Sequence, residues 1–177
     1  MKRKYPLSKV YSLLEPGPVV LVSSADEGRN NVMAMSWHTM IDFEPPLVGC
    51  VIGGQSLTSG MIKTSKECAI NIPTLELAEK TVACGNVSGR TVDKFSRFGL
   101  TQEKASLVKA PLIKECYASL ECRLRDASLA GKYDLLIFEV VRAWVDTAVK
   151  APKTLHHRGG EVFMAAGRTL RIRSKMA

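Results

Sequence analysis

Aromatic residues make up only 6% of this 177-residue chain. No apolar run approaches the roughly 18 residues that a membrane-crossing helix requires. The shortage of aromatics argues against a barrel that binds single-stranded nucleic acid. Such folds stack bases on aromatic side chains interleaved with basic ones, and here Phe, Tyr and Trp do not cluster with Lys or Arg. Cysteines number five, an odd count, with no CxxC pair and no zinc-ribbon spacing. Cys50, Cys68 and Cys122 stand in apolar, strand-like runs and are expected as buried reduced thiols. No His or acid partner for a catalytic cysteine is recognisable in the sequence, so no thiol nucleophile is expected. His156 and His157 adjoin, but no third ligand is in view and neither HxxxH nor HExxH occurs, so no metal site is expected. There is no βαβα alternation and no GxGxxG after the first strand, which argues against a Rossmann domain. The basic start at Met1–Lys4 is followed by Pro6, Ser8, Lys9 and Glu15 rather than the apolar stretch of a secretory signal, and a cytoplasmic protein is expected.

What is present is a chain with 46% hydrophobic residues and a formal net charge of +8. Its mean hydropathy is +0.02. With no internal repeat or low-complexity linker, it reads as one domain over 1–177, with an N-terminal arm at 1–15 and a C-terminal extension at 148–177. Basic bunches occur only at the ends (Lys2 to Lys4; Arg168, Arg171, Arg173, Lys175) and read as solvated termini. The sign of the charge also suits a ligand that carries phosphate.

Pro16-Gly17-Pro18 separates the arm from Val19–Ser24, a β-branched run that predicts a strand. Asp26-Glu27-Gly28 supplies turn chemistry, and Asn31–Trp37 can pair back as the second arm of a hairpin. Leu47–Ile52 is a continuous apolar run of strand length, stopped on one side by Pro45-Pro46 and on the other by Gly53-Gly54. Ser56–Ser65 predicts a short helix capped by Ser56. Cys68–Ile72 predicts a strand closed by Pro73. Thr74–Ala83 predicts a helix with Thr74 as its cap, and Thr91–Phe98 another short helix. Asn86–Arg90 between them reads as a loop. Cys116–Arg125 and Asp134–Thr147 predict long strands joined by a turn at Gly131-Lys132. Long antiparallel strands with short helices between them favour a closed or half-closed barrel.

Three segments could carry chemistry. Along Asn31–Thr39, the small residues Ala34 and Ser36 permit close approach of a flat ligand, and a strand that bends away there exposes backbone N–H groups. The ordinary alternative is that Met33, Met35 and Trp37 alternate into a core. Ser56, Thr58 and Ser59 place three hydroxyls at a helix start after a glycine pair, where an anion would gain from free N–H groups. The alternative is a plain cap. Ser88-Gly89-Arg90-Thr91-Val92-Asp93-Lys94-Phe95 combines a glycine, hydroxyls and two cations, which suits a phosphate or a nicotinamide nucleotide. The alternative is a charged surface loop.

In order along residues 15–147, the pieces Pro18–Ser23, Asn31–Thr39, Pro45–Val48, Ser56–Ser59, Cys68–Pro73, Ser88–Phe95, Ala110–Ile113 and Leu120–Cys122 resemble the flavin reductase-like, FMN-binding split-barrel family, which includes the flavoredoxins. The ordered set carries the resemblance, above all the strand end at Asn71–Pro73 and the SGR…DKF segment. The resemblance implies a mainly β fold with short helices, a Greek-key split β-barrel of six antiparallel strands, and a homodimer with FMN near the subunit interface. It implies that Asn31, Met33, Ala34, Met35, Ser36, Trp37, His38 and Thr39 lie along the ring and ribityl chain. Ser56, Thr58 and Ser59 would meet the phosphate, with Ser88, Gly89 and Lys94 close by. Phe163 and Tyr133 fall where the family places residues near the ring, although members often carry His at the position of Tyr133. The implied activity is hydride transfer from NAD(P)H to flavin N5, with an acceptor that the sequence does not name. The other reading is a flavoredoxin-type electron carrier. Because the cofactor would carry the chemistry, no catalytic side chain is expected at the hydride step.

Overall fold

The structure, a computed structural model, describes residues 17–169. The expected N-terminal arm and the basic residues Arg171, Arg173 and Lys175 lie outside the described residues.

The chain runs β1 (Val20–Asp26), β2 (Arg29–Met35), β3 (His38–Phe43), β4 (Pro46–Val51), α1 (Leu57–Ser65), β5 (Glu67–Ile72), α2 (Ala78–Asn86), α3 (Lys94–Phe98), β6 (Gln102–Glu103), β7 (Leu112–Ile113), β8 (Ala118–Asp126), α4 (Ala130–Tyr133), β9 (Leu135–Val145), β10 (Leu155–Gly159) and β11 (Val162–Ala165). Seven strands form one antiparallel sheet in the order β2-β1-β5-β8-β9-β4-β3. β6 pairs with β7 and β10 with β11 in two small ribbons.

Side chains from across that order meet in one core: Val20 and Val22 of β1, Met35 of β2, Cys50 of β4, Cys122 of β8 and Phe138 of β9. A flat sheet could not bring β2 and β4 into one cluster, so the sheet curls around it. β2 and β3, its two edge strands, do not pair with each other. The result is a split β-barrel. Its sheet has seven strands rather than the expected six, because β3 joins β4 as a hairpin. β3 lacks the alternation that marks a half-buried strand, since every residue after His38 is exposed.

β1 is buried on both faces. Val20 and Val22 enter the barrel, while Leu21 points outward into a second cluster with Val32, Cys84 and Phe95. α2 and α3 supply Cys84 and Phe95 and so cover the outer face of the β1–β2 hairpin. α1 caps the barrel, with Ile62 reaching the inner core. All five cysteines are buried and unpaired.

Several local expectations are corrected. Thr74 makes no cap hydrogen bond; Leu75–Leu77 form a 3-10 turn, and α2 starts only at Ala78 and runs through Asn86. The N–H of Leu75 donates to the carbonyl of Lys153 at 2.7 Å. The helix expected over Thr91–Phe98 starts at Lys94, because the Asp93 carboxylate accepts from the N–H groups of Phe95 and Ser96. The Gly131-Lys132 turn is the short helix α4. The extension contributes the β10–β11 ribbon, tied to the body where Val19 N–H donates to the Leu155 carbonyl at 2.6 Å.

Glu121 on β8 is buried and locks the loop before β7. It accepts from the N–H groups of Ser106, Leu107 and Val108 at 3.0, 2.5 and 3.2 Å and from the Trp144 indole at 2.8 Å. Burial alone would raise its pKa, but these four hydrogen bonds outweigh it and hold the carboxyl below the usual range.

Candidate functional site

β2 is an edge strand with α1 against one face and α2 against the other. Asn31 and Met33 share the face toward α1, where the Asn31 amide donates to the Thr58 hydroxyl at 2.9 Å. Ala34, on the opposite face, meets α2 at Gly85, where a Cβ would lie 3.5 Å from that of Ala34. Two cavities follow this edge. One, of about 220 Å³, is bounded by Asn31, Ser56, Thr58, Ser88, Gly89 and Lys94. The other, of about 570 Å³, lies between Ala34, Met35 and Ser36 on one side and His157 and Phe163 on the other. Ala34 and Gly85 line both, so the two cavities are ends of one groove. Its larger end falls within the roughly 300–1,000 Å³ of typical small-molecule pockets.

The smaller end could hold an anion. Ser56 caps α1 by accepting from Ser59 N–H at 3.1 Å, which sets the helix start beside the cavity. Lys94 is 6% exposed. Among the described residues its ammonium has one partner, the Cys84 carbonyl at 2.7 Å. Burial pushes the lysine pKa down from its ordinary value. It also pushes the Cys84 thiol up to about 11, so that thiol is neutral at neutral pH and does not offset the ammonium. A buried cation with spare donors is costly unless something negative joins it. Gly89 sits so tightly on Asn31 that a Cβ there would lie 2.0 Å from its Oδ1. Arg90 donates to the Gln55 carbonyl at 3.0 Å and Arg29 to the Gly89 carbonyl, which pins this loop over the start of α1.

The larger end has two unlike walls. The β2 wall carries small side chains beside an open sheet edge. The other wall is the β10–β11 ribbon, where His157 and Phe163 stand in register with ring centroids 4.9 Å apart.

Of the expected residues, Asn31, Met33, Ala34, Met35, Ser36, Ser56, Thr58, Ser88, Gly89, Lys94 and Phe163 line this groove. Trp37, His38 and Thr39 do not. Trp37 is 54% exposed past the end of β2. His38 is held at Pro18, its Nε2 2.7 Å from that carbonyl oxygen, and Thr39 lies exposed on β3. Ser59 is buried behind the cap and lines neither cavity. Tyr133 is exposed and outside both. Sequence reading missed Gly85 and Asn86 at the end of α2, and it missed His157. The adjacent histidines before Gly159-Gly160 are the signal in the sequence that marks this position.

A family model described as "Flavin reductase like domain" matches residues 13–163. The Escherichia coli (strain K12) protein "Uncharacterized protein YddH" is 37% identical over 170 residues, covering 88% of this chain and 90% of that protein. An FMN-binding domain of a flavin reductases-like enzyme from Shewanella baltica superposes with a TM-score of 0.84 at 32% identity, over 96% of each chain. Flavoredoxin of Desulfovibrio vulgaris (Miyazaki F) shares the fold, with a TM-score of 0.87 at 23% identity over 99% of this chain and 98% of that one. An edge-strand groove in a split barrel, a family model over most of the chain and a relative this similar over most of both lengths agree: the chain belongs to the flavin reductase like domain family.

Proposed function

We propose that this protein binds FMN along β2 and reduces it with NAD(P)H. The observation that carries the reading is the single groove that joins a buried, uncompensated lysine at one end to a slot walled by small residues at the other. Lys94, Thr58, Ser56 and Ser88 would hold the phosphate, and Asn31 would meet the ribityl chain. Ala34, Met35 and Ser36 would back the ring. Bound there, FMN supplies a ring that accepts a hydride and passes reducing equivalents on. The protein contributes position and field. Lys94 offsets the phosphate charge, and the open edge of β2 offers backbone N–H groups to the polar rim of the ring.

The proposal includes a homodimer. Trp37, Met40, Ile41 and Phe43 leave a run of exposed apolar side chains on and beside the edge strand β3, the kind of surface that usually marks an interface. The electron acceptor is a separate molecule.

The test is an anaerobic titration of FMN-reconstituted protein with NADH and then NADPH, following the flavin band near ~450 nm. Bleaching on the scale of seconds is the expected result and ranks the two donors. FMN that stays bound through gel filtration but is not bleached would identify an electron carrier of the flavoredoxin type. Failure to retain any FMN would make flavin a diffusible substrate at most. Thr58→Ala and Lys94→Ala are each expected to weaken FMN binding by about 1–3 kcal/mol, the scale of a hydrogen bond to a charged group. Unchanged affinity in both would remove the phosphate assignment.

A further inference from the structure

We propose that the β10–β11 ribbon seats the nicotinamide ring of the hydride donor, and that His157 selects it by accepting a hydrogen bond from its carboxamide. This rests on the proposed flavin site.

The two walls of the larger cavity differ in kind. Ala34, Ser36 and Gly85 bring backbone close to whatever lies along β2, while the ribbon places two aromatic rings, tilted 33° to each other, across the cavity. A ligand fixed at the Lys94 end and laid along β2 turns one face of its ring to β2 and the other to the ribbon. A second ring that exchanges hydride with it must arrive on that second face, where His157 and Phe163 stand. Offset stacking on such a pair is the ordinary preference of planar rings.

The hydrogen bonding of His157 gives it a defined polarity. Its Nε2 lies 3.0 Å from the Gly160 carbonyl oxygen, which only accepts, so Nε2 carries the proton. In that tautomer Nδ1 is left as an acceptor, and among the described residues it has no hydrogen-bond partner. The turn at Gly159-Gly160, both at positive φ, is what brings that carbonyl back to its own strand. A carboxamide carries N–H donors on a planar ring, which is the chemistry an aromatic platform with one acceptor recognises.

The experiment uses full-length protein loaded with FMN and kept oxidised. Two tetrahydropyridine dinucleotides that give up no hydride serve as probes. One carries the nicotinamide carboxamide, and in the other an acetyl group replaces it and leaves no N–H. Dissociation constants come from calorimetry and from the long-wavelength absorbance that appears when a ring stacks on the flavin. The wild-type protein is expected to prefer the carboxamide probe by about tenfold, the scale of one hydrogen bond. His157→Phe keeps a flat side chain but lacks the acceptor, so it should bind FMN as the wild type does and show no preference between the probes. His157→Gln, which retains an acceptor and an N–H for the Gly160 carbonyl, should recover part of the preference. Equal preference in wild type and His157→Phe would overturn the assignment. So would a loss of FMN affinity in His157→Phe, which would mean that the pair packs the flavin itself. A wild-type protein that binds no FMN would instead sink the flavin reading, and this one with it.

Discussion

Lys94 shows how one residue can declare a ligand. Its ammonium is buried against a single carbonyl, and burial depresses its pKa. An anion needs it charged, and it loses its proton at lower pH than an ordinary lysine. FMN affinity should therefore fall as pH rises through that depressed value, before the usual lysine range near 10.5 is reached. Fluorescence titrations across pH should show this fall in the wild type and not in Lys94→Met. Gly89 makes a steric prediction. A Cβ 2.0 Å from Asn31 Oδ1 must displace that side chain and break its 2.9 Å bond to Thr58. Gly89→Ala should thus weaken FMN binding about tenfold or more, as loss of a buried hydrogen bond would. Glu121 speaks to stability. Its folded pKa is lowered, so its contribution is present above the unfolded value and is lost as pH falls through the folded one. Glu121→Gln should cost about 1–3 kcal/mol at neutral pH and flatten the acid limb of a stability–pH curve measured by urea unfolding. None of these three environments is visible in sequence, because each depends on neighbours far along the chain. Asn71 is a telling case. Its place in a strand-end motif was plain, but its amide proves to join three segments, donating to the Leu21 carbonyl and accepting from Ile113 N–H and the Ser119 hydroxyl.

At the scale of elements, local chemistry was readable where it was self-contained. Ser56 caps α1 as its spacing implies, because cap and helix lie within one turn. The end of β5 at Ile72 follows from Pro73. Thr74 makes no side-chain cap, and the Leu77 N–H donates at 3.0 Å to the Thr74 backbone carbonyl, closing a 3-10 turn. Asp93 was overlooked as a cap, although it accepts from two N–H groups and from the Ser96 hydroxyl at 2.7 Å. Asp93→Ala should cost about 1 kcal/mol, the usual worth of such a cap. It should also loosen Lys94, the first residue of α3. Denaturant unfolding with and without saturating FMN would separate the two effects. β3 was missed because it has no buried face, and burial on one face is what writes alternation into a strand.

At the scale of the whole molecule, the exposed apolar edge of β3 forecasts self-association. Phe43 is 82% exposed, so Phe43→Asp should disturb no packing within the chain. Sedimentation equilibrium should show the dimer weakened and the unfolding midpoint of the separated chain unchanged; a persistent dimer would place the interface elsewhere. The residues alone pointed to a barrel of antiparallel strands with short helices, offered Asn31–Thr39, Ser56–Ser59 and Ser88–Phe95 as candidate segments, and resembled flavin-handling proteins in the order of their short pieces. The strands, helices and candidate segments follow from periodicity, turn residues and caps, which act over a few residues, and the resemblance from the ordered set of short pieces. Only the tertiary structure decided that the three segments line one groove, that Trp37 and His38 turn away from it, and that a ribbon from the C-terminal extension closes it with His157 and Phe163. Those outcomes depend on how the sheet curls and on which distant groups satisfy one another's hydrogen bonds. Contacts at such separations leave no periodic trace in the chain.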